Sequence, residues 1–325
     1  MTATDEAALK AAKKARKQER RKQRQQLTPE ERRQRRRELT PEQIKKRSFR
    51  KQKQTEKQAL PRADEQPDFK VGFLVAGVQK GGTSTLHAYL ERHPQIGLGG
   101  SKELHFFDDE TQDWRAPDYQ RYHRLFPVYP DATVSGECTP VYFFWPPSLE
   151  RIRAYSPDLR FIVVFRNPID RAFSQWAMAY ARGEDGLLFA EAIRGGRKRV
   201  ADAGDIGHSQ RVHSYVERGF YGAQMRRFLA LYPRAQILPL TSEELFRSHR
   251  TALAKVTAFL GVSPFPDDLE ALHVNSKKKR VEYPSVLTRA DAAHLADVFR
   301  DDLAEFQALS GLDVSGWLDT SRYPD

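Results

Sequence analysis

The stretch that most constrains the fold is Phe69-Lys-Val-Gly-Phe-Leu-Val-Ala-Gly77, followed directly by Val-Gln-Lys-Gly-Gly-Thr-Ser-Thr85. A short apolar run enters two adjacent glycines, and a helix-compatible segment then reaches His93-Pro94. That order predicts a strand, a tight loop and a helix N-terminus. Glycine lets the backbone approach an anion closely, and the first helical turn offers N–H groups without intrahelical acceptors. Lys80 adds a positive charge at the apex of the loop, and Thr83, Ser84 and Thr85 add hydroxyl donors. The loop is therefore a candidate phosphate cradle. Its spacing is not that of a nucleotide-triphosphate loop, G-x-x-x-x-G-K-[ST]. After Gly77 and Gly82 comes Thr83, and the lysine stands three positions earlier. No carboxylate placed to hold magnesium on a neighbouring strand is evident.

A second strand-to-helix turn follows downstream. Leu159-Arg-Phe-Ile-Val-Val-Phe165 is apolar on both faces, as a central parallel strand should be. It leads into Arg166-Asn-Pro-Ile-Asp-Arg-Ala-Phe-Ser174. Arg166 leaves the carboxyl end of the strand, where open α/β sheets bind ligands, and Pro168 starts a helix. An arginine suits a bidentate grip on phosphate, and Ser174 lies two turns along. The plain alternative makes Arg166 a helix-start ion pair with Asp170.

Between the two turns lies Lys102-Glu103-Leu104-His105-Phe106-Phe107, after a short strand suggested by Ile96 and Leu98. A carboxylate flanked by Leu104, Phe106 and Phe107 is expected to be partly desolvated, which raises its pKa and makes it a better proton acceptor. His105 is the rival base, but residues two apart along a strand face one way, so the alternative is that it only lines the same pocket. The plain alternative is a surface Glu103 paired with Lys102. Residues 119–130 suggest a helix ending at Phe126-Pro127, and Thr133-Val-Ser-Gly-Glu-Cys-Thr-Pro-Val-Tyr142 a strand and turn. Residues 183–207 carry no clear pattern. Later strand and helix signals cover residues 232–240, a capped helix from Ser242, a helix ended by Gly261, and a terminal helix over about 289–309 that leads to Trp317.

In this order the segments resemble the sulfotransferases that use 3′-phosphoadenosine-5′-phosphosulfate (PAPS). The likeness is greatest to the branch of heparan-sulfate sulfotransferases and their soluble bacterial relatives, over roughly residues 69 to 318. The resemblance implies a three-layer, P-loop-like α/β domain with a central, mostly parallel sheet. It makes Lys80, Gly81, Gly82, Thr83, Ser84 and Thr85 the 5′-phosphosulfate loop. Lys102 to Phe107 matches K-E-x-x-F-F, which implies that Glu103 is the catalytic base. Gly136 to Tyr142 matches G-E-x-[ST]-P-x-Y. The R-[ND]-P-x-x-R-x-x-S pattern assigns Arg166 and Ser174 to the 3′-phosphate. Asn275-Ser-Lys-Lys-Lys-Arg280 corresponds to a basic loop that closes over the nucleotide, with Lys277, Lys278, Lys279 and Arg280 as donor contacts. The family's intervening glycine is missing there, so which of the four meets phosphate stays open. The implied reaction is in-line sulfuryl transfer from PAPS to a hydroxyl or amine of a small-molecule or saccharide acceptor, with Lys80 stabilising the leaving group and no metal expected. The heparan-sulfate enzymes carry a lysine where Cys138 stands, and often a basic residue where Ser84 stands. Those departures weaken the case for a glycosaminoglycan acceptor. Two other classes stay open: a P-loop kinase or other nucleotide-triphosphate enzyme, and a nucleic-acid-associated protein acting through its N-terminal tail.

That tail carries the charge. Residues 1–66 hold 22 Lys/Arg against 10 Asp/Glu, a net of +12, whereas the remaining 259 residues net −1. With almost no large apolar residue, residues 1–66 cannot build a core and read as a weakly helical or disordered tail ending in a linker, with the domain over residues 67–325. Thr28-Pro29-Glu30-Glu31 and Thr40-Pro41-Glu42-Gln43 are capping boxes that give the tail helical grammar. It serves either as a solubilising extension or as an electrostatic attachment to a polyanion, whether nucleic acid or an anionic membrane surface. One cysteine, Cys138, excludes an internal disulfide and fits a reducing compartment. No apolar run approaches a membrane span, so a cytoplasmic setting is expected.

Overall fold

The computed structural model describes residues 60–66, 68–204, 206–272 and 283–325. The basic tail before residue 60 and Lys277, Lys278, Lys279 and Arg280 lie outside the described residues. Residues Leu60–Asp325 form one compact unit.

Five strands build its sheet: β1 (Phe73–Gly77), β2 (Ile96–Leu98), β3 (Val134–Cys138), β4 (Arg160–Phe165) and β5 (Ile237–Thr241). They lie in the order β2-β3-β1-β4-β5, and all are parallel. Both faces are buried because successive side chains alternate between two apolar cores. Phe73, Val75, Ile162 and Val164 face one core with Leu86, Leu90, Leu253 and Val256. Leu74, Ala76, Phe161, Val163 and Phe165 face the other with Ile169, Phe228, Leu295 and Phe299. Helices α1 (Thr83–Leu90) and α10 (His249–Leu260) thus cover one face. The other is covered by α3 (Ser148–Tyr155), α4 (Pro168–Ala181), α8 (Tyr221–Leu231) and α11 (Arg289–Ser310). This is the expected three-layer α/β arrangement.

Strand order places the ligand crevice. The chain leaves β1 toward β2 on one side of the sheet and leaves β4 toward β5 on the other. The crevice between the carboxyl ends of β1 and β4 is therefore the topological switch point. Both phosphate motifs open from it.

Several elements differ from expectation. Residues 60–66 are not a loose linker: Ala63 is fully buried, its N–H donates to Phe126 O (3.0 Å), and Val128 N–H donates to Pro61 O (2.9 Å). The apolar Ala63 supplies an anchor that the surrounding charge hides in the sequence. Helix α2 spans only Tyr119–His123. The described residues of the patternless region include two one-turn helices, α5 (Phe189–Ala192) and α6 (Lys198–Ala201), and α7 (His208–Val212) follows it. The helix at Ser242, α9 (Ser242–Arg247), is capped by Thr241, whose side chain accepts from Glu244 N–H. Helix α10 ends at Gly261 in the left-handed region (φ 71°), and Trp317 O anchors the terminus by accepting from Asn167 Nδ2 (2.6 Å). No helix among the described residues is long and apolar enough to cross a membrane.

Candidate functional site

The loop after β1 needs its two glycines for different reasons. A Cβ on Gly81 would lie 2.0 Å from Val164 O, so only glycine lets the loop pass beneath β4. Gly82 is the N-cap of α1 at φ 108°, a conformation that strains any residue with a side chain. It offers no side-chain cap, and the Thr85 and Leu86 amides donate to its own carbonyl (2.9 and 3.2 Å), so the Thr83 and Ser84 amides are the ones left for an anion. Ser242 Oγ on α9 holds the loop from behind, donating to Gly81 O (2.6 Å) and lying 3.1 Å from Phe165 O. Of the three hydroxyl residues, Thr83 and Thr85 are buried and Ser84 is half-buried.

Lys80 sits at the apex with φ 75°. Its Nζ lies 3.9 Å from Met178 Sδ on α4. Ser174 is one helical turn before Met178 and on the same face, so that face of α4 is turned toward the phosphate loop. Arg166 Nη1 donates to Lys80 O (3.3 Å). Asp170 pairs with Arg322 (3.0 Å) and receives Tyr323 Oη (3.0 Å), so the helix-start ion pair between Arg166 and Asp170 does not form. Arg171, in the same motif, points away from the crevice: it is fully buried and donates to Gln175 Oε1 (2.8 Å) and Tyr215 O. Burial lowers its pKa to about 10.

The ends of the undescribed 273–282 segment are placed by their neighbours. Leu272 N–H donates to Tyr89 Oη on α1 (2.7 Å), and Tyr283 packs against Trp176 and Tyr180 on α4. The chain enters and leaves that segment beside the two helices that begin at the phosphate motifs.

Glu103 and His105 lie in the loop after β2, not along a strand, and both adopt left-handed backbone (φ 63° and 56°). With Lys80 they are the non-glycine residues at positive φ among those described. Strain of this kind persists where surroundings over-determine it, and it gathers at functional sites. The double left-handed turn brings His105 Nε2 to 3.7 Å from Glu103 Oε2. Lys102 pairs with the same carboxylate.

The expected upward shift of the Glu103 pKa is therefore corrected. The His105 imidazole 3.7 Å away, and then Lys102, outweigh desolvation and lower the carboxyl to about 2. His105 is raised to about 9 by its hydrogen bond to Asp108 and its ion pair with Glu103. At neutral pH the imidazole is charged and cannot be the base. Its Nδ1 lies 3.0 Å from Asp108 Oδ2, and Arg211 closes the chain by donating to the same carboxylate and to Asp108 O (2.8 Å). Burial raises the Asp108 pKa, but His105 and Arg211 overrule it and the net shift is downward. Arg211 in turn lies over the Trp145 ring (4.2 Å). Charges thus alternate from Lys102 through Glu103, His105 and Asp108 to Arg211. Asp108 and Arg211 were not anticipated, since 103 residues separate them and neither belongs to a local pattern.

Cys138, at the end of β3, touches both halves of the site. Its carbonyl accepts from Glu103 N–H (3.0 Å), and its thiol donates to Thr83 O (3.5 Å). The side chain is buried and its pKa is pushed up to about 12, so it is a strut and not a nucleophile.

With this geometry in view, the comparisons are consistent with one another. A family model described as "Sulfotransferase domain" matches residues 71–288. Heparan sulfate glucosamine 3-O-sulfotransferase 6 of mouse and of human are each 33% identical over 193 residues, covering 58% of this chain and 52% of the relative. Human bifunctional heparan sulfate N-deacetylase/N-sulfotransferase 2 is 25% identical over 276 residues, covering 76% of this chain and 30% of the relative. A crystal structure of a sulfotransferase from Alicyclobacillus acidocaldarius shares the fold with a TM-score of 0.63 and 28% identity, covering 77% of this chain and 100% of that chain. The chain spans about half the length of the first of these curated relatives.

Proposed function

Because the chain belongs to the sulfotransferase domain family, we propose that it moves a sulfuryl group from PAPS to an acceptor hydroxyl or amine by in-line displacement. The observation that carries this reading is the shared crevice: the loops after β1 and β4 flank one switch point, and Arg166 touches the backbone of Lys80 across it. The cradle fits the donor's anionic groups. Gly81 lets the loop pack beneath β4, and the uncapped start of α1 offers the Thr83 and Ser84 amides as donors.

PAPS would supply an activated sulfuryl group and a good leaving phosphate. The chain's own residues would do the rest. The backbone amides of Gly82, Thr83 and Ser84 and the Ser84 hydroxyl would hold the 5′-phosphosulfate, with Gly81 and Thr85 shaping the loop through their bonds to Val78 O and Gly82 O. Arg166 and Ser174 would hold the 3′-phosphate, with Lys277, Lys278, Lys279 and Arg280 adding positive charge. Lys80 would neutralise charge on the bridging oxygen as it leaves. Glu103, ionised and 41% exposed, would take the acceptor's proton, while His105 and Lys102 hold its carboxylate in place. A carboxylate lowered to about 2 is a modest base, so positioning and charge neutralisation would contribute more than basicity. The names of the relatives favour a saccharide acceptor. With one cysteine in the chain, a reducing cytoplasmic setting fits.

The direct test is binding followed by transfer. Calorimetry should show 3′,5′-adenosine bisphosphate binding much more tightly than ATP or 5′-AMP, and labelled sulfate from PAPS should appear on a member of a saccharide hydroxyl and amine panel. Preference for ATP would overturn the reading and favour a kinase.

A further inference from the structure

We propose that Glu137, buried in β3 and out of reach of any substrate, is a positioning residue for the reaction: through Tyr142 and Thr139 it fixes the backbone that presents Glu103. The proposal rests on the reading of Glu103 as the base.

Glu137 is 1% exposed, and three hydroxyls converge on its carboxylate. Tyr122 Oη lies 2.9 Å and Tyr142 Oη 3.0 Å from Oε1, and Thr139 Oγ1 lies 2.6 Å from Oε2. Two of these hydroxyls also meet the loop that carries Glu103. Phe106 N–H (2.9 Å) and Phe107 N–H (3.4 Å) donate to Tyr142 Oη, and His105 N–H approaches Thr139 Oγ1 at 3.5 Å.

Donor and acceptor roles here follow from chemistry alone. A backbone N–H can only donate, so the Tyr142 oxygen spends its lone pairs on Phe106 and Phe107. Its single hydrogen then goes to Glu137, whose pKa burial raises against the opposing bonds from Thr139, Tyr122 and Tyr142. As a carboxylate Glu137 accepts from the three hydroxyls and leaves the lone pairs of Tyr142 and Thr139 turned to the loop amides. The consequence reaches the loop because residues 103 and 105 are held at positive φ. The bonds that restrain this turn, from the N–H groups of residues 103, 105, 106 and 107, all end within residues 138–142. A glutamine at 137 would present an NH2 group to hydroxyls that must themselves donate. A hydroxyl that accepts from this NH2 has one lone pair fewer for the loop amide and loses its own acceptor, so the restraint on the turn weakens.

The test is a double-mutant cycle of Glu137→Gln with Glu103→Gln, read by steady-state sulfuryl transfer from PAPS and by calorimetric binding of 3′,5′-adenosine bisphosphate. Glu137→Gln alone should lower kcat by about a hundredfold, the scale of a small misplacement of a reacting group, while leaving the bisphosphate Kd within about twofold. On a Glu103→Gln background it should cost nothing further, because it acts only through Glu103. Tyr142→Phe, which deletes the one hydroxyl linking Glu137 to Phe106 and Phe107, should behave in the same way and carries the test if Glu137→Gln does not fold. Tyr122→Phe removes a donor to Glu137 whose hydroxyl makes no hydrogen bond to the loop, keeps the ring that packs on Phe106 and Phe107, and should leave kcat unchanged. Additive losses in the cycle, or a loss in Tyr122→Phe equal to that in Tyr142→Phe, would overturn the proposal. Full activity of Glu103→Gln alone would instead bring down the reading of the base, and this proposal with it.

Discussion

The Arg166 guanidinium donates to the backbone oxygen of Lys80 at 3.3 Å, so the loops leaving β1 and β4 touch across the crevice they flank. An arginine that reaches one loop from the other can bind an anion between them only with the loop in this arrangement. Arg166→Ala should therefore weaken 3′,5′-adenosine bisphosphate by about 1.5 to 3 kcal/mol, roughly ten- to a hundredfold, and 5′-AMP much less. Titration calorimetry with both nucleotides decides it: equal losses would remove Arg166 from the 3′-phosphate.

The alternating charges around Glu103 predict a pH profile. His105 is raised from 6.5 to about 9, so the stability it contributes is complete below 6.5 and is lost as pH rises through about 9. Glu103 is lowered from 4.5 to about 2, so its contribution is complete above 4.5 and is lost as pH falls through about 2. Both side chains are more than 40% exposed, which keeps these contributions small, but the same titrations should govern activity. Above about pH 5 kcat/KM should show no acid limb, and an alkaline limb should fall near pH 9. His105→Asn should abolish the alkaline limb and move the acid limb upward toward the ordinary carboxylate range. An unmoved acid limb in that variant would show that His105 does not hold Glu103 ionised.

How far the sequence revealed this site depends on what each residue does locally. β1 and β4 were legible because central parallel strands are apolar on both faces, and both phosphate motifs stand at strand-to-helix turns. The loop of Glu103 was legible as a motif but not as a shape. Left-handed backbone at a glutamate and a histidine has no signature in residue type, so the segment reads as strand and the carboxylate as desolvated. The ionic partners that reverse its pKa come from other elements: Arg211 lies 103 residues from Asp108. Glu137 stood in a recognised pattern, yet nothing local shows that it collects the hydroxyls of Tyr122, Thr139 and Tyr142.

Residues 60–66 supply a stability prediction. A chain beginning at Leu60 keeps Ala63 in its pocket, the Pro61–Val128 and Ala63–Phe126 backbone bonds, and the Asp64–Arg124 pair. A chain beginning at Asp68 loses them all. Its Tm should fall by about 2 to 6 °C relative to the longer chain, as measured by calorimetry. Identical Tm values would return the segment to the status of a linker.

The two catalytic assignments separate cleanly by mutation. The proposed reaction sets Lys80 against negative charge that grows on the leaving oxygen, so Lys80→Ala should lower turnover severely and also weaken donor binding. Glu103→Gln keeps the shape of the side chain but removes its basicity. It should leave donor affinity unchanged and lower transfer to an aliphatic hydroxyl by about a hundredfold. The acceptor's own acidity is the control. A phenol gives up its proton readily and gains little from a base, so Glu103→Gln should damage phenol sulfation far less. The low pKa of Glu103 sharpens the contrast, because a weak base helps mainly by standing at the right place as the proton becomes acidic in the transition state. Equal losses on the phenol and the aliphatic alcohol would assign Glu103 to acceptor binding, and full activity on the alcohol would remove it from the mechanism.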